Sequence, residues 1–252
     1  ARTWLLATVV ALGMAAVASA DDQPTDPQAL VTEVVKAIPR NTFTAKLTLS
    51  SPDFAPREVR MSRKYVNGVH GSYLEVIAPD ELEGIRFLFL ESADKPNEQY
   101  IKVKASRNPV RVQEGIRTQP FLGSAFYVSD LVLPQVDDYT YKYLGKDVIG
   151  GRSVTLVEMT PKDPSQEIYA KTVLALDPKD KLIMRREFFD KKGEKVKVWT
   201  IDKVEQIDGV WTLTGQEMQN LQDKTKSRLD ISDIVYNAEL PDAMFTAKYL
   251  TR

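Results

Sequence analysis

The feature that most constrains this chain is a change of hydrophobic period that happens once. Asp26-Pro27 followed by Leu30, Val31, Val34, Val35 and Ile38 supplies an N-cap, a proline at the first helical position and an apolar stripe at helical spacing, closed by Pro39. Beyond that helix the residues run mostly in twos. Phe43, Ala45, Leu47 and Leu49 alternate with Thr44, Lys46 and Thr48 over 42–50, the pattern of a strand with one buried face. Similar runs follow at 57–66, 72–77, 85–90, 99–104, 139–144, 153–160, 169–176, 182–189, 195–202, 210–219 and 226–234. Turn residues separate many of them: Asn67-Gly68, Gly150-Gly151, Pro178-Lys179-Asp180, Asp190-Lys191-Lys192-Gly193, Asp208-Gly209 and Asp223-Lys224.

About eleven consecutive antiparallel strands cannot stay flat, because twist accumulates until a large sheet curls or splits. The fold class is therefore mainly β (α+β), built on a strongly curved antiparallel sheet. Helix to cover it is scarce: beyond 28–38, the covering segments are 120–133 and the stretch near 240–245. A concave apolar face so covered encloses either a packed core or a ligand cavity, and periodicity is consistent with both.

Residues 1–20 run from Arg2 through an apolar stretch, Leu5 to Val17, to Ala18-Ser19-Ala20 before Asp21-Asp22. That is the order of an export signal, expected to be cleaved after Ala20, with an uncleaved anchor as the alternative. A leader, 21–26, and one continuous domain, 27–252, follow, without a repeat, low-complexity segment or linker.

Composition removes several classes of function. With no cysteine there is no disulfide framework, thiolate metal site or cysteine nucleophile, and a single histidine, His70, excludes multi-His metal centres. A net charge of -1 argues against a binder of nucleic acid. No Gly-x-Ser-x-Gly, P-loop, dinucleotide glycine pattern or His-Glu-x-x-His occurs, so a non-enzyme without metal or cofactor is expected. His70, beside Asn67-Gly68 and Gly71, reads as an exposed turn residue, and Asp177 to Lys197 as exposed hairpin turns.

Three groups of residues carry functional expectations. Ile85-Arg86-Phe87-Leu88-Phe89-Leu90 is apolar on both faces except at Arg86, which reads either as a polar latch at a cavity mouth or as half of a structural ion pair. Phe121, Phe126 and Leu131 belong to a loop leading into a short helix, either an apolar plug or a lid over the concave face. The inward-facing set on the assumed strands is Phe43, Leu47, Leu49, Met61, Phe87, Phe89, Ile101, Leu174, Leu176, Trp199, Trp211 and Leu213. Each is also explained as plain core; the expectation of lipid binding concerns the set.

Several short motifs taken in order resemble a known family. Gly84-Ile85-Arg86-Phe87-Leu88 after Pro79, Phe121-Leu122-Gly123-Ser124 with Phe126 and Asp130-Leu131, Glu158-Met159-Thr160-Pro161-Lys162-Asp163, Asp208-Gly209-Val210-Trp211 and the terminal Phe245-Thr246 resemble the LolA-like outer-membrane lipoprotein-sorting family, in a divergent branch. The likeness spans roughly 55–252. It implies an unclosed half-barrel with short helices as a lid over an apolar cavity. The function it implies is that of a periplasmic carrier moving acylated cargo, a lipid or lipoprotein, from an inner-membrane transporter towards an outer-membrane acceptor, with only transient membrane contact. The other reading is a non-catalytic adaptor with a filled core in an envelope lipid-export complex of the RND type.

Overall fold

Helix α1 (Pro27–Lys36) begins where Asp26 accepts a hydrogen bond from the Gln28 amide at 3.0 Å, with Pro27 in the first turn. The computed structural model describes residues 26–92, 95–132, 135–165 and 167–252. The expected signal peptide, 1–20, and the leader up to residue 25 lie outside the described residues.

After the helix, the described residues form thirteen strands in one antiparallel sheet. One arm holds β1 (Phe43–Ser51), β2 (Phe54–Val66), β3 (Val69–Ala78), β4 (Arg86–Ser92), β5 (Glu98–Lys102) and β6 (Val110–Arg111). The other holds β7 (Tyr139–Ile149), β8 (Arg152–Pro161), β9 (Lys171–Asp177), β10 (Leu182–Phe189), β11 (Lys195–Ile207), β12 (Val210–Asn220) and β13 (Thr225–Tyr236). The arms join where the first strand pairs with the last, Phe43 opposite Tyr236 and Leu47 opposite Ile231. Tight turns hold neighbours in register, as at Asn67-Gly68, where φ of +52° and +82° suits asparagine followed by glycine.

The order β6-β5-β4-β3-β2-β1-β13-β12-β11-β10-β9-β8-β7 leaves the sheet unclosed, with β6 and β7 as its two edges. Those edges are consecutive in sequence, so the chain between them, described over 112–132 and 135–138, crosses from one to the other. This crossing segment carries α2 (Glu114–Arg117) and single 3₁₀ turns at Phe121–Gly123, Val128–Leu131 and Val136–Asp138. Strand β6, two residues long, has no counterpart in the periodicity because so short a run has no period to detect.

Alternation along the strands separates two faces. On the inner face Leu47, Leu49, Val59, Leu74, Phe87 and Phe89 form the main core with Phe121 and Phe126 of the crossing segment. Leu30, Val31 and Val34 of α1 pack on Tyr139, Val157, Met159, Leu174 and Leu176, filling the inner face over β7–β9. On the outer face Tyr73 and Leu88 bury Leu250, and the C-terminal 3₁₀ turns Asp242–Phe245 and Ala247–Thr251 lie over β3–β5. The stretch near 240–245 thus covers the face opposite to the one expected. The approach is close: a Cβ at Gly71 would sit 2.6 Å from the Phe245 ring.

Candidate functional site

Between α1, the crossing segment and the sheet lies a cavity of about 570 Å³. Its floor comes from both arms: Phe43, Leu47, Met61, Leu74 and Phe89 from one, Trp199, Trp211, Leu213, Leu229 and Ile231 from the other. Phe121 and Leu131 roof it, and Ile38, Pro39 and Ile183 stand at its helix end. Most of its polar side chains are already engaged. The Trp199 indole donates to Gln216 at 3.1 Å, Thr212 and Tyr236 share a 2.7 Å hydrogen bond, Lys181 pairs with Glu33 and Asp180 with Arg152.

The roof is held from below by a buried polar knot. Asp130 is 1% exposed and accepts from the Lys197 ammonium at 2.9 Å, the Tyr169 hydroxyl at 2.8 Å and the Tyr127 amide at 2.7 Å. The Lys197 ammonium lies 3.0 Å from the Tyr127 ring centre, and the Arg186 guanidinium donates to the Asp130 carbonyl at 3.1 Å. Burial pushes the Lys197 pKa down against the pull of Asp130, and raises that of the Tyr169 hydroxyl, with Asp130 adding to the rise. Further ties run from the Gln99 side-chain amide to the Val128 carbonyl and from the Ala125 amide to the Ser227 hydroxyl. The crossing segment is therefore fixed to β5, β10, β11 and β13.

On the other side of this segment lies a polar pocket of about 520 Å³, lined by Arg117, Asp130, Tyr139, Glu167, Lys171 and Arg186 among others. Its charges are largely paired within the chain: Lys171 with Glu158 at 2.7 Å and Arg117 with Glu167 at 3.4 Å. Arg186, whose guanidinium lies 5.0 Å from the Trp199 ring centre, stands between the two spaces.

Of the expected lipid-binding set, Phe43, Leu47, Met61, Phe89, Trp199, Trp211 and Leu213 line the apolar cavity, together with Phe121 and Leu131 of the expected lid. Six others lie elsewhere. Leu174 and Leu176 are covered by α1, Leu49 and Phe87 are buried in the main core, and Ile101 packs against it. Phe126 is fully buried, its ring edge-on to Trp199 at 5.3 Å, so it acts as the plug while Phe121 and Leu131 face the cavity. The period-two pattern gives the face a residue points to, but not what covers it.

Arg86 is not at the cavity mouth. It lies on the outer face, where it donates to Glu75 at 3.0 Å and to the carbonyls of Leu250 and Arg252, clamping the C-terminal segment. His70 is not a turn residue: it sits in β3, its ring tilted against that of Tyr65 with centroids 4.5 Å apart, and burial beside Arg63 and Arg40 lowers its pKa to about 4. The stretch Asp177 to Lys197 is not wholly exposed either, since both end residues are buried in ion pairs. Lys197 was detectable in the sequence: it lies two residues before the inward-facing Trp199, a register where an unpartnered cation is not tolerated. The partners Asp130, Tyr169 and Arg186 are too far apart in sequence to be assembled from it.

An unclosed antiparallel half-barrel with a strapped apolar cavity is the class that fold and site define together. A family model described as an "Uncharacterized protein"-like family matches residues 68–252, and the chain belongs to that family. Three solved structures show the same fold. A domain from Vibrio parahaemolyticus assigned to outer-membrane lipoprotein sorting matches with TM-score 0.82 and 22% identity, over 90% of this chain and 98% of that one. A DUF1329 family protein from Desulfovibrio piger matches with TM-score 0.80 and 20% identity, over 88% and 97%. A LolA-superfamily protein from Nitrosomonas europaea matches with TM-score 0.65 and 19% identity, over 88% and 98%. The LolA-like fold expected from the sequence motifs is the fold this chain has. No match is found among curated proteins.

Proposed function

We propose that this chain is a non-enzymatic periplasmic carrier, which takes the acyl chains of a lipid or lipoprotein into the apolar cavity and moves them from an inner-membrane transporter towards an outer-membrane acceptor. The observation that carries this reading is the cavity of about 570 Å³, floored by aromatic and aliphatic side chains from both arms of the sheet. An adaptor with a filled interior calls for close packing at that place. The energetics support a carrier as well: an acyl chain of about 14 methylenes loses roughly 11 kcal/mol on entering water at ~0.8 kcal/mol each, so it crosses an aqueous space slowly unless shielded. The likeness to a lipoprotein-sorting domain supports the same cargo class.

Native mass spectrometry with lipid extraction, on protein purified from a periplasmic fraction without detergent, tests this. A stoichiometric acylated adduct is expected. A clean protein mass that also fails to take up added lipids and acylated peptides overturns the carrier in favour of the adaptor.

A further inference from the structure

The polar side chains around the apolar cavity are not equally satisfied. At the end formed by the turns of β9–β10 and β11–β12, Asp180, Lys181 and Thr212 have partners within the protein, as does Gln216 further along β12. At the opposite side, on β2, β3 and β4, stand Arg63, Ser72 and Glu91. Arg63 and Ser72 are direct cross-strand neighbours. Arg63 reaches Glu91 through one terminal nitrogen at 3.4 Å, while its Nε is buried without a partner. Ser72 is 2% exposed, and its Oγ is likewise buried without a partner. Among the described residues these are the two cavity-lining side chains with an unmatched buried polar atom.

Buried polar groups left unmatched are costly and rare, and a small number of them in an otherwise apolar pocket serves to orient a ligand. Arg63 Nε can only donate and the Ser72 hydroxyl can donate beside it, so a group that serves both is an acceptor. Glu91 decides which kind: its carboxylate already balances the Arg63 charge and opposes a second anion beside it. We propose that Arg63 and Ser72 form the head-group end of the cavity and receive a neutral acyl carbonyl, the ester or amide of the cargo, while the acyl chain lies along the floor towards Trp199 and Trp211. Both donor atoms are covered in this structure. A rotamer change of Ser72 and a small swing of the guanidinium, in side chains that line the cavity, turn them towards an arriving carbonyl. The inference rests on the carrier reading and narrows its cargo to uncharged acyl groups.

The test uses displacement of the apolar dye N-phenylnaphthylamine from the purified protein by monomyristoylglycerol and by myristate. The wild type is expected to prefer the ester. Ser72→Ala weakens displacement by the ester about fivefold, as for the loss of one hydrogen bond, leaves dye affinity within about twofold, and melts no lower than the wild type because it removes an unmatched buried hydroxyl. Arg63→Lys, which keeps the charge facing Glu91 but lacks the Nε donor, acts in the same direction. A synthetic diacylated lipopeptide as a third competitor separates the two sources of the carbonyl, free lipid and lipoprotein. Ester displacement unchanged in both variants, an equal loss for the dye, or a preference for myristate overturns the inference while leaving the carrier in place. Failure of the wild type to bind dye, ester and lipopeptide overturns the carrier reading and this inference with it.

Discussion

Two spaces of similar size, about 570 and 520 Å³, lie on either side of one chain segment, and adjacent residues face into different ones: Leu131 lines the apolar cavity, Asp130 the polar pocket. Volume does not distinguish them. The polar pocket carries Arg117, Lys171 and Arg186 against Glu167 and Asp130, and these charges are engaged by partners within the chain, so little there calls for a ligand. The apolar cavity presents Trp199, Trp211, Phe43 and Phe89 with few polar groups beside them, and water held there gains little. One pocket is lined by charges that satisfy each other within the chain; the other is lined by apolar surface.

The largest effect is expected at the residue that serves both spaces. Asp130→Ala leaves the Lys197 ammonium buried without its carboxylate and frees Tyr169, at a cost of about 3–5 kcal/mol of stability measured by urea unfolding. A loss under about 1 kcal/mol breaks the claim that this knot fixes the roof. A smaller effect separates the two spaces directly. Trp211→Ala should weaken apolar-dye binding about fivefold, the range of one aromatic contact, whereas Arg117→Ala on the polar side should leave it unchanged and alter stability by about 1 kcal/mol or less. Equal loss of dye binding in the two variants makes the spaces one functional cavity.

A further effect on stability is a dependence on pH at the Arg63 end of the inner face. His70 has a folded pKa of about 4 against an ordinary 6.5, so below pH 6.5 the unfolded chain binds a proton that the folded one refuses. Stability should therefore fall as pH drops from 6.5 towards 4 and level off below, and His70→Gln should flatten that fall. Urea midpoints at pH 7 and pH 4.5 check it; an identical slope in wild type and variant removes His70 from the account.

The helix, the strand succession and the tight turns are local properties, set by side-chain period, the Asp26-Pro27 cap and residues that tolerate positive φ at Asn67-Gly68 and Asp208-Gly209. They follow from the order of residues alone, and with them that a long antiparallel sheet would present one apolar face. Which part of that face is filled depends on contacts between distant segments. Leu174 and Leu213 have the same inward alternation, yet α1 covers one and the cavity receives the other. Arg86 and Lys197 are both cations on apolar strands, yet one clamps the C-terminal segment on the outer face and the other ties down the roof. Period-two alternation records direction relative to a strand, whereas coverage depends on contacts between residues as distant as Asp130 and Lys197, which exist only once β6 and β7 stand apart and the chain has crossed between them.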